Sequence, residues 1–257
     1  MQIEHITPMI LTYNEAANLQ DTLERLRWAK QILIVDSFST DQTLDIAASF
    51  PQVRTVQRQF DHFADQCNFG LAHIDSPWVL SLDADYKCDA AFADELTELD
   101  ERADGYEARF LYGIYGKPLR ATLYPPRVVL YRAARARYHR DGHAHRVTID
   151  GQIGSIKTPI LHDDWKAISV WMAAQIKYAN HEAEKLQSLA APEFGWKDRI
   201  RATILLAAPL TLVYCLIYKR LLLDGWRGVF YSLQRVFAEL VLSLVLLDRK
   251  IRSMGSR

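Results

Sequence analysis

Four short strand-like segments recur in the first third of the chain, and each one ends on polar residues. They cover residues 6–11, 32–35, 53–56 and 79–82, with Pro8 predicting an irregularity near the start of the first. Each reads as a strand, and the run 79–82, apolar without polar alternation, as one buried on both faces as in a parallel sheet. Helical spacing appears between them. Leu19, Leu23 and Leu26 share one face behind Asn14 as an N-cap, and Ser39 with Gln42 has capping-box spacing for a helix starting near Thr40. A third helix is expected over 63–73. Strands alternating with helices predict an α/β fold: a Rossmann-like, mostly parallel sheet flanked by helices, with right-handed crossovers. Farther along, a helix over 90–102 precedes strands over 106–112, 127–131 and 147–149. Residues 113–126, rich in Gly, Pro, Tyr, Lys and Arg, form a loop between the first two of these strands, either a solvated connection or a flap that grips phosphate or acceptor.

The pattern changes near residue 195. Residues 204–218 carry no charge, but they include Pro209 and stop at Lys219 and Arg220, short of the roughly 20 apolar residues a bilayer span needs. Residues 229–247 are longer but contain Arg235 and Glu239, which are costly at membrane depth. Basic residues edge both stretches, among them Arg199, Arg227, Arg249 and Lys250. The expected organisation is a domain over 1–195 and an apolar, basic-edged helical segment over 196–257. That segment would lie in the headgroup boundary or re-enter it from the cytoplasm, with a soluble hairpin or dimer interface as the rival reading.

Charge and cysteine usage narrow the classes. Lys+Arg and Asp+Glu both total 31, so no basic excess points to nucleic acid. Three scattered cysteines without a CxxC suit a reducing compartment. The first residues lack the basic and apolar regions of a secretory signal, which places the chain in the cytoplasm.

Three polar clusters then fall at the carboxyl ends of predicted strands: Thr12-Tyr13-Asn14-Glu15, Asp36, and Asp83-Ala84-Asp85. That is the edge where open α/β sheets bind ligands. Residues i and i+2 leave a strand on one side, so Asp83 and Asp85 would project together. Two close carboxylates repel, and a hard divalent cation relieves the repulsion while recruiting phosphate oxygens. One such pair could simply form a turn. Three clusters on one edge make a site.

These stretches resemble the inverting family 2 glycosyltransferases of GT-A fold, and within them the lipopolysaccharide-core and related envelope enzymes. Thr-Tyr-Asn-Glu is similar to the family's opening signature, Val35-Asp36-Ser37-Phe38-Ser39-Thr40-Asp41 to its second element, and Leu82-Asp83-Ala84-Asp85 to its metal-binding DxD. The resemblance is specific over 6–86 and looser to about 186. It implies that Thr12, Tyr13 and Glu15 line the nucleobase and ribose pocket and that Asp36 bonds uracil or ribose. It further implies that Asp83 sits by ribose and metal, and that Asp85 coordinates Mg²⁺ or Mn²⁺ against the diphosphate. Gln66 and Asn68 match a stretch that contacts the nucleotide, and His162, after the apolar run 160–161, is a candidate third metal ligand. Three positions depart from the pattern: Phe38 where Gly is usual, Cys67 where Arg is frequent, and Tyr86 where Glu often follows DxD.

Inverting transfer is a single displacement that needs a general base for the acceptor hydroxyl and a Lewis acid for the departing diphosphate. Residues 138–146 concentrate ionisable groups, and Asp141 is the first choice for the base, with His143 or His145 as rivals. The two histidines could instead bind zinc or order a turn, but no further cluster completes a four-ligand zinc set. A helix over 167–186, with Trp171, Gln175, Tyr178, Glu182 and Lys185 near one stripe, is expected to pack beneath the acceptor site.

The expected activity is metal-dependent inverting transfer from a nucleotide-diphosphate donor, a UDP-sugar first, to a cell-envelope glycan or lipid-linked saccharide. Its setting would be the cytoplasmic face of a bacterial inner membrane. The alternatives are a polyprenyl-phosphate glycosyltransferase and a catalytically silent, membrane-docked nucleotide-sugar-binding module. Sugar nucleotidylyltransferases are excluded by the missing Gly-rich loop after the first strand.

Overall fold

The computed structural model describes residues 1–141, 144–188, 195–204 and 206–255. The chain alternates β1 (Ile6–Thr12), α1 (Ala16–Arg25), β2 (Ile32–Asp36), α2 (Thr43–Ala48), β3 (Val53–Gln57), α3 (Phe63–Leu71) and β4 (Trp78–Asp83). These four strands pair in parallel in the order β3-β2-β1-β4, as the alternation of strands with helices predicts. Beyond them come β5 (Tyr86–Lys87), α4 (Ala90–Glu98), β6 (Gly105–Ile114), β7 (Lys117–Pro118) and β8 (Arg127–Arg132). A hairpin of β9 (Ala136–Asp141) and β10 (Ala144–Ile149) follows, and then β11 (Ile153–His162). The sheet continues β8-β6-β11-β5 and becomes mixed, because β8 runs antiparallel to both β4 and β6.

Apolar side chains cover both faces of the sheet. Ile6, Ile10, Leu19, Leu23, Ile34, Leu80, Leu82, Phe92 and Leu96 form one cluster, and Met9, Leu33, Val35, Cys67, Val79 and Tyr131 the other. Helix α3 approaches closely because of Gly70, where a Cβ would stand 2.5 Å from Met9 Sδ and 2.9 Å from Val35 Cγ2. Any larger residue would push the helix off the sheet.

Three local expectations change. Asn14 does not cap α1. Its backbone is left-handed (φ 54°), Glu15 holds the cap position, and the Asn14 side chain accepts the Thr40 N–H at 2.8 Å instead. Nor do Ser39 and Gln42 form a capping box, since α2 begins three residues later and Ser39 bonds Asp36. Finally, β4 stops at Asp83, so Asp85 lies in the turn to β5 rather than on the strand. The alternation argument for the pair therefore fails, and pairing at the far edge positions Asp85 instead.

A second compact unit contains residues 119–121 and 167–257. The division falls after Lys166 rather than near 195, because α5 (Ile168–Ser188) packs with the tail. Ala179, Ala183 and Leu186 of α5 meet Leu242 of α8 (Trp226–Gly255). The buried positions of α5 are thus Ala179, Ala183 and Leu186, not the stripe expected from Trp171 to Lys185. Between α5 and α8 come α6 (Trp196–Ala202), α7 (Ala207–Val213) and a π-helical turn (Tyr214–Tyr218).

The charges inside the apolar run are partnered. Arg201 bridges Glu182 at 3.0 Å and Glu239 at 2.7 Å, and the Arg235 guanidinium lies 5.4 Å from the Trp171 ring centre and 5.3 Å from that of Tyr231. Leu233, Leu240, Leu244, Leu247, Ile251 and Met254 stay exposed at spacings of three, four and seven along α8. By length and composition alone, the helix Trp226–Met254 could cross a membrane.

Candidate active site

The parallel strands β1 and β2 end side by side, with Thr12 paired to Asp36. Asp36 is fully buried, and its oxygens accept from Thr12 Oγ1 at 2.9 Å, Ser39 N–H at 2.9 Å, Ser39 Oγ at 2.5 Å and Gln57 Nε2 at 3.2 Å. A buried carboxylate needs such donors, and these tie the loop after β2 to the end of β1. The Asn14 N–H donates to Ser39 Oγ at 2.9 Å, and that of Glu15 to Thr43 Oγ1 at 2.8 Å. Tyr13 and Phe38 remain exposed on this edge. Phe38 has φ 62°, so the glycine usual in the family corresponds to a left-handed position that this chain fills with an aromatic residue.

Gln66 and Asn68 face inward to the protein. Gln66 is buried, donates to Ser37 Oγ at 2.9 Å and to the Arg58 carbonyl at 3.1 Å, and accepts from Arg58 at 2.8 Å. Asn68 bonds both backbone groups of Tyr138, at 3.0 Å each, and so fastens the β9–β10 hairpin to α3. Their amide groups order the strand ends. Cys67 between them is buried, with its thiol raised by desolvation and, secondarily, by Asp83.

The other edge is less satisfied. Strand β11 pairs antiparallel with β5, His162 opposite Tyr86, and the Asp163 N–H donates to the Asp85 carbonyl at 3.1 Å. This register brings two residues 77 apart in sequence together: His162 Nε2 lies 3.0 Å from Asp85 Oδ2. Tyr86, Tyr112 and Tyr124 surround the imidazole with ring centres 5.2, 4.9 and 5.1 Å away. Burial favours the neutral ring, but Asp85 outweighs it, with a further contribution from Asp83, and His162 is held more basic than usual. Asp85 Oδ1, His162 Nδ1 and Asp163 Oδ1 are all buried with no hydrogen-bond partner among the described residues.

Buried carboxylate oxygens without partners beside a strand end are what a bound cation would use, and one would displace the His162 proton. Among the described residues no three His, Cys, Asp or Glu side chains converge to hold a metal ion. The set fits a Mg²⁺- or Mn²⁺-type site with few protein ligands, whose remaining positions substrate phosphates and water complete.

Glu15 sits near this edge. Burial pushes its carboxyl up to about 7 even though Lys166 Nζ donates to it at 2.5 Å. Burial would lower the Lys166 ammonium, but Glu15 holds it above its ordinary value. Asn18 donates to both Glu15 (3.0 Å) and Asp164 (2.9 Å). Sequence reasoning missed Asn18 and Lys166. The only signal for either is a polar residue one helical turn after Glu15 and a lysine after the 163–164 acidic pair, and neither pattern is specific.

The base candidates lie on the β9–β10 hairpin, where the backbones of Asp141 and Ala144 pair, as do those of His145 and Arg140. The side chains of Asp141 and His145, and His143 as a whole, lie outside the described residues.

Comparison with known proteins gives the family. Residues 9–148, more than half of the chain, match the family described as "Glycosyl transferase family 2", and the chain belongs to that family. It is a glycosyltransferase of GT-A fold. The chain is 28% identical over 201 residues to the lipopolysaccharide core biosynthesis glycosyltransferase LpsC of Rhizobium meliloti (strain 1021), covering 74% of each. It is 30% identical over 92 residues to an uncharacterized glycosyltransferase of Rickettsia bellii (strain RML369-C), covering 35% of this chain and 31% of that one. Among solved structures, S. aureus TarS 1–349 in complex with UDP-GlcNAc aligns with a TM-score of 0.46 at 14% identity, over 95% of this chain and 92% of that chain.

Proposed function

We propose that the chain transfers a glycosyl group, with inversion, from a nucleotide diphosphate sugar, a UDP-sugar first, to a cell-envelope glycan or lipid-linked saccharide. The observation that carries this reading is the Asp85–His162 pair at 3.0 Å, with Asp85 Oδ1 left unpaired beside the end of β4. Family membership supports the reaction class, and the likeness to LpsC supports an acceptor of lipopolysaccharide-core type.

Of the expected set Asp83, Asp85 and His162, the paired Asp85 and His162 would hold Mg²⁺ or Mn²⁺, since no three such side chains converge among the described residues, and Asp83, at the end of β4, would face the ribose. Such a cation neutralises charge on the departing diphosphate. The chain's own residues do the rest. Tyr13 and Thr12 border the nucleoside end, and Asp36, Gln66 and Asn68 act one step back by fixing the loops that meet it. Lys166 adds a fixed positive charge next to Glu15. Asp141 takes the acceptor hydroxyl proton as general base, with His143 or His145 in its place if the aspartate is dispensable.

A membrane seat completes the proposal. One side of α8 is engaged by α5, through Leu242 with Ala179 and Ala183 and through Arg249 with Gln187, and by Arg201 of α6, which joins Glu182 and Glu239. The opposite stripe of leucines is exposed and has Arg227, Arg249 and Lys250 near its ends. A helix built this way lies in the headgroup boundary of the cytoplasmic leaflet instead of crossing it.

The deciding experiment incubates the purified chain with Mn²⁺ and a panel of nucleotide sugars and follows nucleotide release. Release from one donor, lost in Asp85→Ala, is expected, and full turnover in that variant would remove Asp85 from the site.

A further inference from the structure

The segment after β11 ties itself to the strand ends residue by residue. His162 meets Asp85, Asp164 accepts from Asn18, and Lys166 reaches Glu15. Trp165 lies within this run, and the residue is 48% exposed. The ring is nonetheless fixed. The backbone N–H of Trp165 donates to Asn18 Oδ1 at 2.9 Å, and the indole N–H donates to Asp163 Oδ2 at 2.7 Å. Asp163 is wholly buried, and the same oxygen accepts from the Gly116 N–H at 3.0 Å and from Lys87 Nζ at 3.3 Å. The Lys87 ammonium lies 5.5 Å from the Trp165 ring centre.

The turn after β6 is shaped to the same node. Gly113 abuts Asp163 so closely that a Cβ there would stand 2.6 Å from the aspartate Cβ. Tyr115 and Gly116 are both left-handed, at φ 49° and 75°. They are the two central residues of the β6–β7 hairpin, whose two-residue turn calls for positive φ at both. The turn presents Tyr115, 56% exposed, edge-on to Trp165, with ring centres 5.9 Å apart and planes at 87°.

Neither ring gains from water exposure, and a buried aspartate and lysine are an expensive way to anchor an idle indole. Rigid, amphipathic aromatic faces supply large contact area at low entropy cost. Their natural ligand beside a glycosyl-transfer site is the C–H face of a pyranose. We infer that Trp165 and Tyr115 form a saccharide-stacking subsite that seats a sugar ring of the acceptor; this inference rests on the glycosyltransferase reading above. A nucleobase is the other planar ligand an indole could stack, but an exposed aromatic residue, Tyr13, already stands at the β1 end for that role.

The test compares the full-length wild type with Trp165→Ala, Trp165→Phe and Tyr115→Ala. The probes are a turned-over UDP-sugar and lipid-free core oligosaccharide from rough-type lipopolysaccharide. Trp165→Ala is expected to raise the oligosaccharide KM about tenfold or more, with Tyr115→Ala weaker and Trp165→Phe restoring most of the loss. Donor KM and acceptor-independent donor hydrolysis should stay within about twofold. Quenching of tryptophan emission by the oligosaccharide should disappear in Trp165→Phe. An unchanged oligosaccharide KM, or a donor KM that rises in parallel, overturns the subsite while leaving the transferase reading intact. Donor hydrolysis by wild type with neither transfer to the oligosaccharide nor quenching overturns it as well. If wild type releases no nucleotide from any donor, the transferase reading fails first and the subsite falls with it.

Discussion

The two ends of the strand edge make opposite use of acidic residues. At β1 and β2, Asp36 is buried and every interaction around it closes on the protein, through Thr12, Ser39 and Gln57. At β4, β5 and β11, Asp85 and His162 meet each other, but Asp85 Oδ1, His162 Nδ1 and Asp163 Oδ1 are left without partners among the described residues. A satisfied buried carboxylate stabilises the fold, whereas an unsatisfied one costs stability and persists where a ligand supplies the missing contact. Acidity alone does not distinguish scaffold from site. The completeness of hydrogen bonding does.

Mutations can break this contrast, beginning with the largest effect. Asp85→Ala should lower transfer by about a hundredfold or more, in the range of removing electrostatic stabilisation of a leaving group, and change unfolding free energy by less than about 1 kcal/mol. Asp36→Ala should do the reverse. It strands the donors that the carboxylate now satisfies and should cost about 3 kcal/mol in urea unfolding. Equal stability losses in the two variants would erase the distinction.

Glu15 sharpens the comparison through pH. It holds its proton more tightly folded, at about 7, than at its ordinary 4.5. Its contribution to stability is therefore complete below about pH 4.5 and is lost as pH rises through about 7. The unfolding free energy of wild type minus that of Glu15→Gln should fall by a few kcal/mol across that window, and a flat difference would contradict the burial argument.

Smallest is Asn68→Ala, which should cost about 2 kcal/mol by releasing both backbone groups of Tyr138, with donor affinity little changed. A large loss of UDP affinity at unchanged stability would return Asn68 to the nucleotide pocket.

These residues also mark how far sequence reasoning reaches. The four parallel strands, three of them buried, the helices between them and the acidic strand ends were legible, because periodicity and local composition specify them. His162 was legible as polar at the end of an apolar run. Its pairing with Asp85 was not, since that depends on the β5–β11 register across 77 residues. For the same reason the partners of Gln66 and Asn68 (Ser37, Arg58 and the backbone of Tyr138) were not legible. Short-range rules also misassigned Asn14 and Ser39 as helix caps, because the crossed loops after β1 and β2 offered them stronger partners. The mixed outer half of the sheet was hidden as well, for nothing local to residues 127–132 records that β8 inserts antiparallel between β4 and β6.

The central claim, that the β4–β11 edge is left incomplete so that a cation and a diphosphate can complete it, is tested most directly by calorimetry of UDP binding with Mn²⁺ and with EDTA. Wild type should bind UDP about tenfold or more tightly with Mn²⁺, and Asp85→Asn should lose that difference while melting as wild type does. UDP affinity indifferent to Mn²⁺ in wild type, or a metal dependence that survives in Asp85→Asn, would contradict it.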